Sequence, residues 1–235
     1  NVFTTHYPDE ERGAARPLRT TPCYDRMKAL GAVFGSVYGW ERPNWFMPSL
    51  DYALSAEELN KEDPEKVLWN ENHAKPLSDG RIVEKNSFRR SNYFEHVGNE
   101  CKHVTEKVGL LDMSAFAKCA VKGPGAEEWL EYIFANKMPK TIGRINLVHM
   151  LSLNGGVRSE YTVYKTGPQS YYLVSAGAFE THDHDYLFKL LPKDGSVSVQ
   201  QVTTQTGVLV LAGPRSRDLL QKLTDTDLSN DSFKW

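Results

Sequence analysis

Asn154-Gly155-Gly156-Val157-Arg158-Ser159-Glu160-Tyr161-Thr162-Val163-Tyr164 sets a Gly-Gly turn directly before a strand. Adjacent glycines allow the left-handed backbone angles that a tight hairpin requires. The residues that follow alternate, Val157, Ser159, Tyr161 and Val163 on one face against Arg158, Glu160, Thr162 and Tyr164 on the other. Glu160 is thus expected beside Arg158 and Tyr164, close to the turn. Two readings are open for it: an exposed hairpin with an ion pair that adds little stability, or an acid set at the start of a strand for chemistry.

Working outward, Phe116 to Val121 reads as an apolar strand and Gly123-Pro124 as a turn. Trp129, Leu130, Ile133 and Phe134 then form one face of a helix, with Pro124 suited to its first position. Beyond the hairpin, Tyr171 to Ser175 predicts a strand, Ala178 to Leu191 a helix, and Ser196 to Val202 another strand. Val208-Leu209-Val210-Leu211-Ala212-Gly213-Pro214, followed by a helix through Leu219, Leu220 and Leu223, repeats the order of strand, Gly-Pro and helix. Ser91-Asn92-Tyr93-Phe94 leads into a helix through Val108, striped by Val97, Cys101, Val104 and Val108, with Gly109 as its stop. Helices and strands in this order predict an α+β fold, a mixed sheet with helices and an internal strand/Gly-Pro/helix repeat.

Residues 1 to about 50 are dense in Pro, Gly and aromatics, as in Gly39-Trp40-Glu41-Arg42-Pro43-Asn44-Trp45-Phe46. This is packed irregular structure whose aromatics need a surface supplied from elsewhere. A helix from Pro22 or Cys23 to Leu30, stopped by Gly31, fits Tyr24, Met27 and Leu30 at helical spacing. Residues 55–86 are charged and broken by Pro64, Pro76 and Gly80, with a short helix at Ser55 to Lys61, and read as a connection.

The chain has 235 residues, 40% of them hydrophobic and 25% charged, enough for one large or two modest domains. Its 28 basic and 30 acidic residues form no block, which argues against a nucleic-acid surface or a polybasic anchor. No apolar run approaches a membrane span and no signal-peptide pattern opens the chain, so it reads as soluble and non-secreted. Cys23, Cys101 and Cys119 show neither a disulfide framework nor zinc spacing, and Cys119 reads as a buried, inert thiol. Beginning at Asn1 and stopping at Trp235, the sequence is expected to be part of something longer.

His182-Asp183-His184-Asp185 suggests a metal only at first sight. On a helix, residues two apart project about 200° from each other, so a solvated face is expected. Arg215 and Arg217 are read as surface arginines, and Trp40 and Trp45 as interdomain packing.

Taken together, Val108-Gly109-Leu110-Leu111-Asp112-Met113-Ser114, Gly123-Pro124-Gly125-Ala126, Leu130 to Asn136 and Gly155-Gly156-Val157 to Val163 resemble the glycine-cleavage T-protein type folate domain. The form resembled is the one attached to dimethylglycine and sarcosine dehydrogenases. Arg16-Pro17-Leu18-Arg19-Thr20-Thr21-Pro22 with Gly39 to Phe46 looks like the junction that follows the flavin domain there. The resemblance covers nearly the whole chain and implies three parts: residues 1–54 as the end of the FAD-oxidoreductase central or junction domain, 55–90 as a connection, and 91–235 as an incomplete tetrahydrofolate-binding domain. It implies that FAD, held in an N-terminal domain outside this sequence, oxidises a small N-methylated amino acid, and that tetrahydrofolate captures the released carbon. No Gly-x-Gly-x-x-Gly occurs in the chain, in keeping with a flavin site elsewhere.

The resemblance also implies roles. Glu160 is the expected catalytic carboxylate, stabilising a developing cation and taking a proton from the attacking folate nitrogen. The T-protein usually carries two aspartates at this corner, where this chain has Ser159 and Glu160. Met113 and Leu147 match folate-contacting positions, with core packing as the alternative, and Tyr172, Val174 and Ser175 match the strand beside the folate, or are plain strand. The implied partners are folate, the methylated amino acid and the chain's own flavin domain, with no nucleic acid or membrane. The implied compartment is bacterial cytoplasm or mitochondrial matrix. A non-catalytic T-protein-like regulatory subunit and a folate-binding module without chemistry are the competing readings.

Overall fold

The computed structural model describes residues 7, 8, 10, 11, 13–60 and 74–233. In chain order the elements are α1 (Tyr24–Ala29), β1 (Ala32–Val37), β2 (Trp40–Phe46), α2 (Ala56–Asn60), β3 (Ala74–Pro76), β4 (Ile82–Lys85), α3 (Phe94–Glu106) and β5 (Gly109–Asp112). There follow β6 (Ala117–Lys122), α4 (Ala126–Ile133), β7 (Ile145–Leu151), β8 (Val157–Gly167), β9 (Ser170–Ser175), α5 (Glu180–Lys189), β10 (Ser198–Gln201), β11 (Leu209–Ala212) and α6 (Ser216–Leu220). The helix expected at Ser55 to Lys61 is α2, and Lys61 lies outside the described residues. The chain divides into two compact units, residues 1–111 with 210–235, and residues 112–209.

In the first unit, Trp45 finds its surface downstream, whereas Trp40 finds a partner within the N-terminal segment itself. Trp45 is 1% exposed; its ring stacks on Tyr93 and His96, and its Nε1 donates to Glu84 at 2.7 Å. Trp40 is buried under the Arg19 guanidinium, 4.0 Å from the ring centroid, so both tryptophans pack within this unit. The buried Glu41 carboxylate takes both arms of Arg16, at 2.9 and 2.5 Å. α1 ends where expected, with Gly31 at φ 89° and its N–H on the Lys28 carbonyl. α3 does not run to Val108. It stops at Glu106, Lys107 leaves the helical angles, and Gly109 opens β5 instead of capping the helix. A Cβ at Gly109 would lie 2.5 Å from Val104 Cγ2, so close packing calls for glycine there. Arg217 is no free surface arginine: its Nη1 donates to the carbonyls of Leu228 and Phe233, tying down the C-terminal segment.

The second unit is a five-stranded sheet in the order β10-β6-β9-β8-β7, antiparallel at every pairing. Val121, Val148, Met150, Tyr161, Val163, Tyr171 and Leu173 turn one face inward onto Ala126, Trp129 and Leu130 of α4 and Leu187 of α5. Burying each large side chain contributes about 1.5–3 kcal/mol. Pro124 is not the first residue of α4. Gly123 accepts the Ala126 N–H at 3.0 Å, so Pro124 fills the second position of a turn and Gly125 precedes the helix. Phe134, expected on the helix, is already extended. The helix expected from Ala178 is a 3₁₀ turn at Gly177–Phe179 followed by α5.

The two Gly-Pro copies share their backbone. Gly123 and Gly213 both have positive φ, 131° and 118°, and each carbonyl accepts the N–H three residues on, from Ala126 and Ser216. The repeat read in the sequence is therefore geometric.

Candidate functional site

Two-residue periodicity leaves a second sheet face in the 112–209 unit that α4 and α5 do not cover. Cross-strand pairs place its residues in rows: Leu147 opposite Thr162, and Thr162 opposite Val174, in one; Tyr164 opposite Tyr172 in the next. Toward the turn, His149 faces Glu160. The β6 end of this face is closed. Lys118, opposite Val174, is fully buried, and its Nζ donates to the Ser114 carbonyl at 2.6 Å. The β7 end is open, with Ile145 and Leu147 about half exposed and Leu147 in the same-face pair next to His149–Glu160.

Glu160, Leu147, Val174 and Tyr172 are brought together on this face. The rings of Tyr164 and Tyr172 meet at 5.9 Å, edge on. Ser175 is not among them: it points to the other side, 8% exposed and opposite Ala117. Met113 precedes β6 in a half-buried turn, its N–H on the Val208 carbonyl at 2.8 Å.

The hairpin forms as the glycines predict, with Gly155 at φ 78° and the Ser152 N–H on the Gly156 carbonyl at 2.8 Å. Arg158, however, does not share the Glu160 face. Leu151 pairs with Val157 and Met150 with Ser159, so Arg158 is the extra residue of a β-bulge, and a bulge re-aims its side chain. Its guanidinium lies over the Tyr186 ring at 3.9 Å and meets His182 Nε2 at 3.1 Å. Glu160 pairs instead with His149, Nε2 to Oε2 at 3.1 Å. His149 and Lys118 are the groups of this face that reading single strands missed. The hairpin showed only that β7 folds against β8; the one-residue register shift that sets His149 opposite Glu160 had no signal in the sequence.

The His182-Asp183 pair is only partly the solvated face expected. Asp183 is 4% exposed, and its Oδ1 accepts from Ser159 Oγ at 2.5 Å and from His182 Nδ1 at 3.1 Å. Arg158 donates to the other nitrogen of His182, which leaves Nδ1 as the one that donates to Asp183. Burial first, then Asp183 and Glu180, push the Cys119 thiol up to about 11, which agrees with an inert cysteine. Among the described residues no His, Cys, Asp and Glu group could hold a metal ion, and no helix is long and apolar enough to cross a membrane.

The face joins exposed Leu147 and Ile145 to tyrosines and a carboxylate. The comparisons agree with this architecture. The crystal structure of glycine cleavage system aminomethyltransferase T from Bartonella henselae superposes with a TM-score of 0.62, over 87% of this chain and 43% of that one, at 20% identity. That is the same α+β fold. Dimethylglycine dehydrogenase, mitochondrial, from Mus musculus is 36% identical over 231 residues, 97% of this chain and 23% of that protein. Pyruvate dehydrogenase phosphatase regulatory subunit, mitochondrial, from Mus musculus is 29% identical over 234 residues, 99% of this chain and 24% of that protein. The chain thus spans about a quarter of the length of these relatives. The GCVT N-terminal domain matches residues 23–235, and the chain belongs to that family, in kinship with the dimethylglycine and sarcosine dehydrogenases.

Proposed function

We propose that this chain is the tetrahydrofolate-binding, one-carbon-capturing part of an FAD-dependent oxidative demethylase acting on dimethylglycine or sarcosine. The observation that carries the reading is the placement of Glu160, an acid beside exposed apolar Leu147 on the sheet face that the core leaves free. Leu147, Val174, Tyr172 and Met113 would hold the folate ring and its approach, and bound folate supplies the nucleophilic nitrogens. Glu160 stabilises positive charge on the attacking nitrogen and accepts its proton. Ser175 acts behind the strand, through packing. On this reading residues 1–54 end the flavin-bearing half, 55–90 connect, and 91–235 begin the folate half. FAD and the amine site belong to a part outside this chain, so these residues alone do not oxidise the amine.

The test is tetrahydrofolate titration and product analysis on the full-length protein. Glu160→Gln is expected to leave folate binding within about threefold while lowering carbon capture about 10²–10⁴-fold, free formaldehyde accumulating instead. Unchanged capture sinks the assignment of Glu160.

The regulatory relative supports a second reading, a non-catalytic subunit of the same architecture. The visible spectrum of the denatured native polypeptide decides between them. Flavin absorbance running with a chain heavier than 26.6 kDa supports the demethylase, and a colourless chain the regulatory or folate-binding protein.

A further inference from the structure

Asn136 follows α4, where the chain runs along β7: Ala135 donates to the His149 carbonyl at 2.9 Å. The His149 backbone N–H donates to Asn136 Oδ1 at 3.2 Å, so the Asn136 atom facing His149 is an oxygen, since a backbone N–H only donates. The same oxygen lies 3.4 Å from His149 Nδ1. On the opposite side of the ring, Nε2 lies 3.1 Å from Glu160 Oε2. Both ring nitrogens therefore face acceptors, and only a doubly protonated imidazolium satisfies both.

The other charged group expected on this face is turned away, because the bulge sends Arg158 to Tyr186 and His182. Leu147 and Thr162, the next residues of the face, carry no charge. The pair is also open to water, with side chains 34% and 58% exposed. An ion pair at that exposure contributes only about 0–1 kcal/mol to stability, so stability gives little reason for this arrangement.

We infer that His149, held as an imidazolium between Asn136 and Glu160, is the proton partner of Glu160, the group through which the proton of carbon capture leaves. The inference rests on the proposed folate reading. Glu160 keeps Oε1 free while Oε2 is engaged by His149. As an amine nitrogen forms its bond to the electrophilic iminium carbon, the C=N π pair moves to the iminium nitrogen and Glu160 Oε1 takes the proton. The N–H electron pair stays on the attacking nitrogen. Neutral Glu160 no longer stabilises the imidazolium, so His149 releases the Nε2 proton to water, its N–H pair remaining on the ring. Rotation of the Glu160 carboxyl about its Cγ–Cδ bond then brings the protonated oxygen to Nε2, and its proton bridges the two groups. The pair again holds one proton between them, and one has passed to solvent. Asn136 is a positioning residue that sets the ring's orientation.

Two measurements test this. In the chain labelled with ¹⁵N-histidine, the His149 ring at neutral pH is expected to show protons on both nitrogens, and on only one in Glu160→Gln. A singly protonated native ring overturns the inference whatever folate does. In the full-length protein, His149→Gln is expected to slow carbon capture about 10–100-fold with tetrahydrofolate affinity unchanged, and added imidazole to restore part of the rate. If Glu160→Gln impairs capture and His149→Gln does not, His149 has no such role and the folate reading stands. If neither variant changes capture, the folate chemistry itself is wrong and the inference falls with it.

Discussion

Asp183 accepts both Ser159 and His182 on one oxygen while lying 4% exposed, so truncation would strand a buried hydroxyl and an imidazole N–H at once. Asp183→Ala is expected to cost about 2–3 kcal/mol in urea unfolding, and Asp183→Asn clearly less, because an amide oxygen still accepts from Ser159. An equal loss in both variants would show that the charge, not the hydrogen bond, matters. The burial of Asp183 had a trace in the sequence: it lies four residues before Leu187, which is fully buried, and residues so spaced share a helix face. The two histidines masked it, since alternating polar residues resemble a solvated surface. The rotation of about 200° between His182 and His184, by contrast, follows from helix geometry alone. Glu160 was legible for a similar reason, as strand alternation needs nothing beyond its own neighbours. His149 was not.

Register explains that difference at the level of elements. Counting back symmetrically from the Leu151–Val157 pair would set Val148 opposite Glu160. The bulge at Arg158 shifts the count by one and brings His149 there instead. A bulge leaves no mark in a single sequence, whereas the Gly-Gly turn and both Gly-Pro turns do, because each needs backbone angles or a fixed φ that few residues supply. α4 is fastened to the sheet by Glu127, whose carboxylate accepts from Lys140 Nζ at 2.8 Å, buried Lys165 Nζ at 2.6 Å and Tyr171 OH at 2.7 Å. Those bonds, from Lys140 first, then Lys165 and Tyr171, hold it down at about 2. A carboxylate lowered by folding binds fewer protons folded than unfolded. Its stabilisation is therefore complete above its ordinary value of about 4.3 and is lost as pH falls toward 2. Glu127→Gln is expected to lower stability at pH 7 by about 1–2 kcal/mol after allowance for solvent screening, and to flatten the acid limb of a stability-versus-pH curve between pH 5 and 2. An unchanged acid limb would remove Glu127 from the account.

For the whole molecule, residues 112–209 form one continuous stretch with its own sheet and core. Such a stretch is expected to fold alone. Expressed by itself it should show near-ultraviolet circular dichroism and a single cooperative melt, and a featureless near-ultraviolet spectrum would refute this. The other unit is assembled from both ends of the chain, and composition gave no hint of that, since the residues that close it lie far apart in sequence. Its two segments meet where β11 pairs with β5 and where the Arg215 N–H bonds the Lys107 carbonyl at 2.9 Å. The Met113–Val208 hydrogen bond takes on a kinetic meaning in this light. Closing a flexible loop of roughly 100 residues costs on the order of 4 kcal/mol of chain entropy. Once residues 112–209 have folded, Met113 and Val208 are one hydrogen bond apart and that cost is already met, so β5 and β11 find each other as if joined by a short hairpin. The inserted unit acts as a splint, and the sequence on either side of it behaves, in folding, as a chain less than two-thirds its length.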